Sequence, residues 1–233
     1  MLMYDQPEYD PFWAAVQELD TVVYMHPRTP TPGQLKTLWA DRPALLTAPL
    51  SFGQDVQRHT LGLCVNGVFD RFPGVKFVIG HMGEMIPAHL WRLGTPFPKP
   101  TPLPILPSRS SNGLHTNSFS DHWMVRKFRY TNYKAKYPVR YYFSKNIWIT
   151  TSGHYSTTAL QNAISEIGAD RIMFSIDHPY EDIEEGAEWW DTLTLNPIDK
   201  VNMGRNNAIK LLKLDLPLMG PEAVFDGLNR NAM

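Results

Sequence analysis

Residues 171–181 read Arg-Ile-Met-Phe-Ser-Ile-Asp-His-Pro-Tyr-Glu. Positions 172–176 form a short apolar strand pattern that runs straight into a carboxylate, Asp177. Pro179 stops the strand there, because it has no backbone N–H to give a sheet. A carboxylate at the C-terminal tip of a buried strand is where α/β enzymes place chemistry rather than structure. Two further segments end the same way in histidine. Thr21-Val22-Val23-Tyr24-Met25 leads into His26-Pro27-Arg28, and Val75-Lys76-Phe77-Val78-Ile79-Gly80 leads into His81-Met82-Gly83-Glu84. Strand ends carrying His, His and Asp point to a metal site or an acid–base site.

Working outward, strand and helix signals alternate. Asp10 and Pro11 open a helix with Phe12, Ala15, Val16 and Leu19 on its apolar face, followed by a strand at 21–25. A polar, proline-containing loop is expected from Pro27 to about Gly53. The apolar positions Val56, Leu61, Cys64, Val65, Val68, Phe69 and Phe72 then recur at helical spacing until Pro73-Gly74. A strand at 75–80 and a helix from about Glu84 to Leu93 follow. Further on come a strand at 146–151, a helix capped by Ser156 and closed by Gly168, the strand at 171–176, a helix at about 182–194, and a last one capped by Asn196 and running to Leu214. This alternation predicts an α/β fold with a parallel sheet, and the Val/Ile/Phe/Trp-rich strands suit a sheet covered on both faces.

The composition is that of a globular enzyme. The 233 residues are 43% apolar and 12% aromatic with a net charge of −1, so nothing favours a nucleic acid or an anionic membrane surface as partner. No apolar run reaches the ~18 residues of a membrane span, and the N-terminus lacks the basic-then-apolar layout of a signal peptide. The single cysteine, Cys64, falls in a helical apolar stripe and is read as a core residue; a lone thiol agrees with a reducing, cytoplasmic setting. One segment breaks the rhythm. Residues 95–107 hold six prolines in thirteen positions, which excludes helix and inner strand, and the dozen residues after them are mostly polar and aperiodic. The stretch 94–122 is therefore expected to be a disordered insertion, and His115 and His122 within it are not nominated as ligands.

His26-Pro27-Arg28, Gly80-His81-Met82-Gly83-Glu84, Thr150-Thr151-Ser152-Gly153 and Ser175-Ile176-Asp177-His178-Pro179-Tyr180-Glu181 resemble the motifs of the amidohydrolase-related aromatic acid decarboxylases. The nearest likeness is to the fungal 2,3-dihydroxybenzoate decarboxylases, with the γ-resorcylate and salicylate decarboxylases close by, over residues 1–93 and about 128–215. The resemblance implies a (β/α)₈ TIM barrel with one divalent metal (zinc, manganese or magnesium) at its C-terminal face. It implies that His26, ending the fifth strand, is a metal ligand. His81, ending the sixth, would be an acid–base group partnered by Glu84, and Asp177, ending the eighth, would bind metal and handle a proton. Arg92 matches a substrate-contacting position. The implied substrate is a small aromatic carboxylate.

The residue types suit that chemistry. Losing CO₂ directly from a hydroxybenzoate would leave an aryl anion with no resonance sink, whereas protonating the ring carbon that bears the carboxylate avoids it. A cation binding the carboxylate and the ortho phenolate together, an acid, and a histidine for the phenol are then needed. Other readings stand beside this one. Glu84 could be a first-turn helix residue favoured by the dipole, and the acidic run 181–185 has the same explanation. His154 could line the pocket, His178 is expected to face away, and His59 and His89 to be solvent-facing or satisfied in helices. Trp189 and Trp190 read as ordinary core and surface aromatics.

Only four strands are convincing, and no Glu-x-His or Glu-x-Ala element precedes Tyr4, where the family's first strand would carry it. The expectation is a single partial barrel domain over 1–233, the C-terminal half with strands five to eight, which would self-associate to a homo-oligomer through open sheet edges. The alternatives to a decarboxylase are a non-catalytic half-barrel and a metal-dependent hydrolase of the same superfamily.

Overall fold

The computed structural model describes residues 3–93 and 134–221. The proline-rich segment at 94–122, with His115 and His122, lies outside them. Helix α1 (Asp10–Glu18) has Pro11 in its first turn and buries Trp13 and Val16, three residues apart on one face. Strand β1 (Val22–Met25) follows. The expected loop at 27–53 is partly helical: Thr31 and Gln34 form a reciprocal capping box that opens a short stretch at Pro32–Gln34, extended through Leu35–Trp39. Helix α2 (Ser51–Val65) and the short α3 (Val68–Arg71) replace the single helix expected over 56–72. Gly67 separates them at φ +73°, a left-handed conformation that glycine adopts at little cost.

Strand β2 (Lys76–Ile79) leads to α4 (Ile86–Leu93), which starts two residues later than the sequence implies. Helix α5 (Val139–Lys145), unforeseen, precedes β3 (Ile147–Thr150). In α6 (Thr157–Ile167) the Ser156 hydroxyl accepts the Ala159 N–H at 3.3 Å, and Gly168 ends the helix at φ +86°. Strand β4 (Ile172–Met173) is shorter than its apolar pattern. The last helices are α7 (Ile183–Thr192), α8 (Pro197–Val201) and, after a widened turn at Asn202–Asn206, α9 (Asn207–Leu212). Asp182 and Asn196 cap α7 and α8 through their side chains. No helix among the described residues is long and apolar enough to cross a membrane.

The four strands form one parallel sheet in the order β1-β2-β3-β4. Parallel partners in register share a face, so the pairing of Met25 with Ile79, Ile149 and Ile172 defines one side, and that of Tyr24 with Val78 and Trp148 the other. The first side carries Phe77, Ile79, Ile147, Ile149 and Ile172, packed with Trp13, Leu63, Phe69, Phe143 and Leu160 of the helices. Cys64 is buried in the same core, as expected, and burial pushes its thiol pKa far up. The second side holds a smaller cluster, Val78, Met173 and Leu211, flanked by Val22, Trp148 and Ala208. Val23, Val78 and Ile149 therefore do not share one open face. Val23 and Ile149 belong to the helical layer, and Val78 is only 2% exposed beneath Leu211 of α9. Lys213, just after α9, and Lys76 of β2 both pair with Asp20 before β1, tying the last helix across the sheet.

The buried amides of Asn146 and Asn207 hold the sheet's lower end. Asn146 donates to Pro73 O and Val75 O at 3.0 Å each, and Asn207 to Ala169 O and Ile172 O at 2.8 Å. At the upper end the Thr151 hydroxyl donates to Ser175 O at 2.7 Å and accepts from Ser175 N at 2.8 Å, which extends the β3–β4 pairing towards Asp177.

Candidate metal and acid–base site

Because every strand is parallel, all C-terminal ends lie at one edge of the sheet, and the residues that follow them converge. One ligand atom from each of His26, His81 and Asp177 lies within 4.8 Å of the other two. His26 Nδ1 donates to the Pro27 carbonyl at 2.8 Å; a carbonyl can only accept, so in the neutral ring Nε2 is the nitrogen with the lone pair. His81 Nδ1 donates likewise to Glu84 Oε1 at 2.7 Å, leaving Nε2 directed at Asp177 Oδ2, 3.4 Å away. A neutral imidazole nitrogen and a carboxylate oxygen are both acceptors, so a proton or a cation must lie between them. This is the arrangement of an oriented His–His–carboxylate set, in which outer hydrogen bonds fix each ring's tautomer. The donors fit a divalent ion of the zinc or manganese type.

The electrostatics agree. Burial alone would lower the His81 pKa, but the hydrogen bond and charge of Glu84, followed by the charge of Asp177, outweigh it and hold the imidazolium above its ordinary range. Asp177 Oδ1 accepts from the Ser152 hydroxyl at 3.2 Å, which turns Oδ2 towards His81. Tyr24 Oη and Thr150 Oγ1 share a hydrogen bond at 2.7 Å on the same side of the sheet. Gly80 makes room for this group: a Cβ there would stand 2.9 Å from Tyr24 Oη and 3.4 Å from Ser152 Oγ.

The backbone carries strain where the side chains converge. His81, Met82, Gly83, Glu84 and Met85 all have φ between +49° and +74°, so the chain makes a left-handed turn before α4 begins. Asp177 lies at φ +77° and Ser152 at +37°. Such conformations cost of order 1–3 kcal/mol each and cluster at functional sites. Glu84 is thus not a first-turn helix residue stabilised by a dipole; it is 8% exposed, in the left-handed turn, with its carboxylate on His81.

The other sequence-predicted residues fall at different distances. Arg28 turns to Asp55, at 3.7 Å. Arg92 lies exposed on α4 and makes no hydrogen bond or ion pair with His26, His81, Glu84 or Asp177. His154 is half-buried with Nδ1 3.4 Å from His81 O, beside the cluster but outside the triad. His178 is exposed, and Tyr180 stacks over His26 with ring centroids 6.2 Å apart. His59 accepts from Tyr4 N at 2.9 Å and stacks on its ring, a structural role. Ser152 was visible in the Thr-Thr-Ser-Gly motif without a role; Tyr24 carried no signal beyond strand propensity.

Residues 3–214 match the amidohydrolase family. The chain belongs to that family. Among characterised amidohydrolase relatives, the γ-resorcylate decarboxylase of Rhodococcus jostii (strain RHA1) is 38% identical over 214 residues, covering 92% of this chain and 56% of the relative. Among solved structures, the dihydroxybenzoic acid decarboxylase of Polaromonas sp. JS666, with bound manganese and the inhibitor 2-nitroresorcinol, superposes with a TM-score of 0.76 at 35% identity, covering 93% of this chain and 57% of that one. A 2,6-dihydroxybenzoate decarboxylase complexed with 2,6-dihydroxybenzoate gives a TM-score of 0.73 at 37% identity, covering 91% and 57%. The expected kinship with aromatic acid decarboxylases therefore holds, and a homologous structure binds manganese. The chain spans about half the length of the curated relatives it matches.

Proposed function

We propose that this amidohydrolase chain serves metal-dependent, non-oxidative decarboxylation of a hydroxybenzoate whose hydroxyl lies ortho to the carboxylate. The observation that carries this reading is the convergence of His26, His81 and Asp177, three strand-end residues far apart in sequence whose ligand atoms lie within 4.8 Å of one another. His26 and Asp177 would hold the ion. A divalent cation held there would supply the positive charge that binds the substrate's carboxylate and favours the ionised phenol. His81, oriented by Glu84, takes the phenolic proton on Nε2. Asp177, steadied by Ser152, would deliver the proton it shares with His81 Nε2 to the ring carbon that bears the carboxylate; the bond to the carboxylate carbon then breaks, CO₂ leaves, its electron pair restores the aromatic ring, and solvent replaces the proton. Arg92 is retained as a substrate contact only in this proposal.

Both 2,3-dihydroxybenzoate, the substrate favoured by the sequence motifs, and 2,6-dihydroxybenzoate, the substrate named for the relatives, have the required ortho hydroxyl. We further infer that the chain supplies strands five to eight of a (β/α)₈ barrel, with 94–122 as an inserted loop and assembly into a homo-oligomer. The parallel order of four strands and the coverage of 57% of the superposed barrel support this. The hydrolase alternative gains nothing from the relatives named above, which are decarboxylases.

The test is direct. Purified protein supplied with Mn²⁺ is offered each dihydroxybenzoate, and catechol or resorcinol is followed by chromatography. Metal-dependent product from either isomer is expected. Stoichiometric Mn²⁺ uptake without product from either would overturn the assigned chemistry. Metal-free, aggregated protein would instead support a non-catalytic half-barrel.

A further inference from the structure

The left-handed turn at 81–85 has to be held by something outside itself. Four of its five residues carry side chains, and an L-residue in this conformation costs roughly 1–2 kcal/mol. Its backbone ties include Gly83 N to Gly80 O at 2.8 Å and Met85 N–H to Gly83 O. Part of the restraint comes from helix α2. Gln57 Nε2 donates to the backbone carbonyl of Glu84 at 2.6 Å. One turn earlier on the same helix, Gly53 lies against the Glu84 carboxylate: a Cβ at Gly53 would stand 2.8 Å from Oε2, closer than real contacts allow. Residues four apart share a helix face, so Gly53 and Gln57 together form a seat that receives the carboxylate and fastens the backbone behind it. The other carboxylate oxygen, Oε1, is the one that orients His81.

We propose that Gly53 and Gln57 are positioning residues: α2 sets the place of Glu84, and through it the aim of His81 Nε2 at Asp177 Oδ2, beside the metal position. Neither touches the triad, and neither lies in a motif shared with it. Glycine within a helix is unfavourable by up to about 1 kcal/mol against alanine, so its presence in the first turn of α2 has a local cost that a helix alone would not select. The proposal rests on the reading of His26 and Asp177 as a metal site with His81 as the base beside it, and the test separates the two.

Gly53→Ala, Glu84→Asp and the double variant are compared for Mn²⁺ affinity by electron paramagnetic resonance. The hydrogen-bonded Nδ1–H proton of His81 is followed by NMR, assigned through its absence in His81→Asn. Gly53→Ala should strengthen α2 yet, by turning His81 away from the ligand Asp177 that it meets at 3.4 Å, weaken Mn²⁺ binding about 10- to 100-fold, the usual effect of losing a group that orients a ligand, and should shift or abolish the Nδ1–H signal. Glu84→Asp shortens the carboxylate by one methylene and relieves the clash, so the double variant should bind no worse than Glu84→Asp alone. Gln57→Ala, which adds no bulk, should speed amide exchange at 82–85 and weaken Mn²⁺ binding in the same direction. Additive losses in the double variant overturn the proposal. So does a Gly53→Ala protein with unchanged Mn²⁺ affinity and an unchanged His81 signal. If the wild type takes up no Mn²⁺, the proposed function falls, and the Nδ1–H signal alone still decides whether Gly53 positions His81.

Discussion

Replacing Gly83 with alanine should damage this protein far more than the same change at an unhindered glycine such as Gly33. Gly83 sits third in the left-handed turn at φ +74°. A Cβ built there would stand 3.0 Å from Ile149 Cγ2 and 3.1 and 3.2 Å from Pro87 Cδ and Cγ. Ile149 is in the centre of the sheet and Pro87 in the first turn of α4, so neither can retreat easily. Adopting a left-handed conformation with a side chain costs roughly 1–2 kcal/mol, and forcing a methyl into a packed site roughly 1–3 kcal/mol. Together these give about 2–5 kcal/mol, a large part of a typical stability of ~5–15 kcal/mol. For a chain of this size that corresponds to a fall in melting temperature of roughly 4–20 °C. Calorimetry or circular dichroism would measure it, with Gly33→Ala as the control, since nothing lies within 4 Å of a Cβ there and no left-handed φ constrains it. The control should melt unchanged or slightly higher. A Gly83→Ala protein melting within about 1 °C of wild type would show that the turn is not held as described.

Other outcomes follow from the same structure. Asp177→Asn keeps an oxygen for Ser152 and tolerates the left-handed backbone but removes the charge, so Mn²⁺ affinity should fall at least ~10-fold, as it should in His26→Ala; calorimetric titration with wild-type affinity in both would dissolve the site. Leu211→Ala should cost about 2–5 kcal/mol because Leu211 is buried on Val78 and Met173, whereas the exposed Leu212→Ala should stay within about 0.5 kcal/mol. Equal effects in urea melts would mean that α9 does not cover the sheet. Hydrogen bonds from Lys213 and Lys76 pull the Asp20 pKa from 3.8 down to about 2, so its contribution is present above its ordinary range and is lost as pH falls towards 2. Asp20→Asn should therefore flatten the fall in melting temperature between about pH 4 and pH 2, and parallel curves would contradict this. The chain is expected to self-associate in light scattering, since β1 and β4 leave sheet edges among the described residues; a monodisperse 26.7 kDa monomer would contradict that.

Much of this was legible before any coordinates. The four strands and the helices with ordinary caps follow from local rules: a short β-branched or aromatic run forms a strand, and Ser156, Asp182 or Asn196 satisfies the free N–H groups of the helix it precedes. The candidate site was legible for the same reason. A parallel sheet brings every C-terminal strand end to one edge, so the residue types after Met25, Ile79 and Ile176 already announced His, His and Asp as neighbours.

What lies beyond that edge was decided by tertiary structure. Gly-His-Met-Gly-Glu gave no sign of a left-handed turn in place of a helix start, because backbone strain of that kind survives only where packing overrules local preference. Gly53 and Gln57 stand 31 and 27 residues from Glu84 and carry no chemistry of their own; their role exists only once α2 lies against the turn. The second face of the sheet was likewise settled by α9. Its residues lie far along the chain from β1 and β2, and only folding brings Leu211 over Val78 and Lys213 to Asp20, because burying apolar surface depends on who the neighbours are and not on where they fall in the sequence.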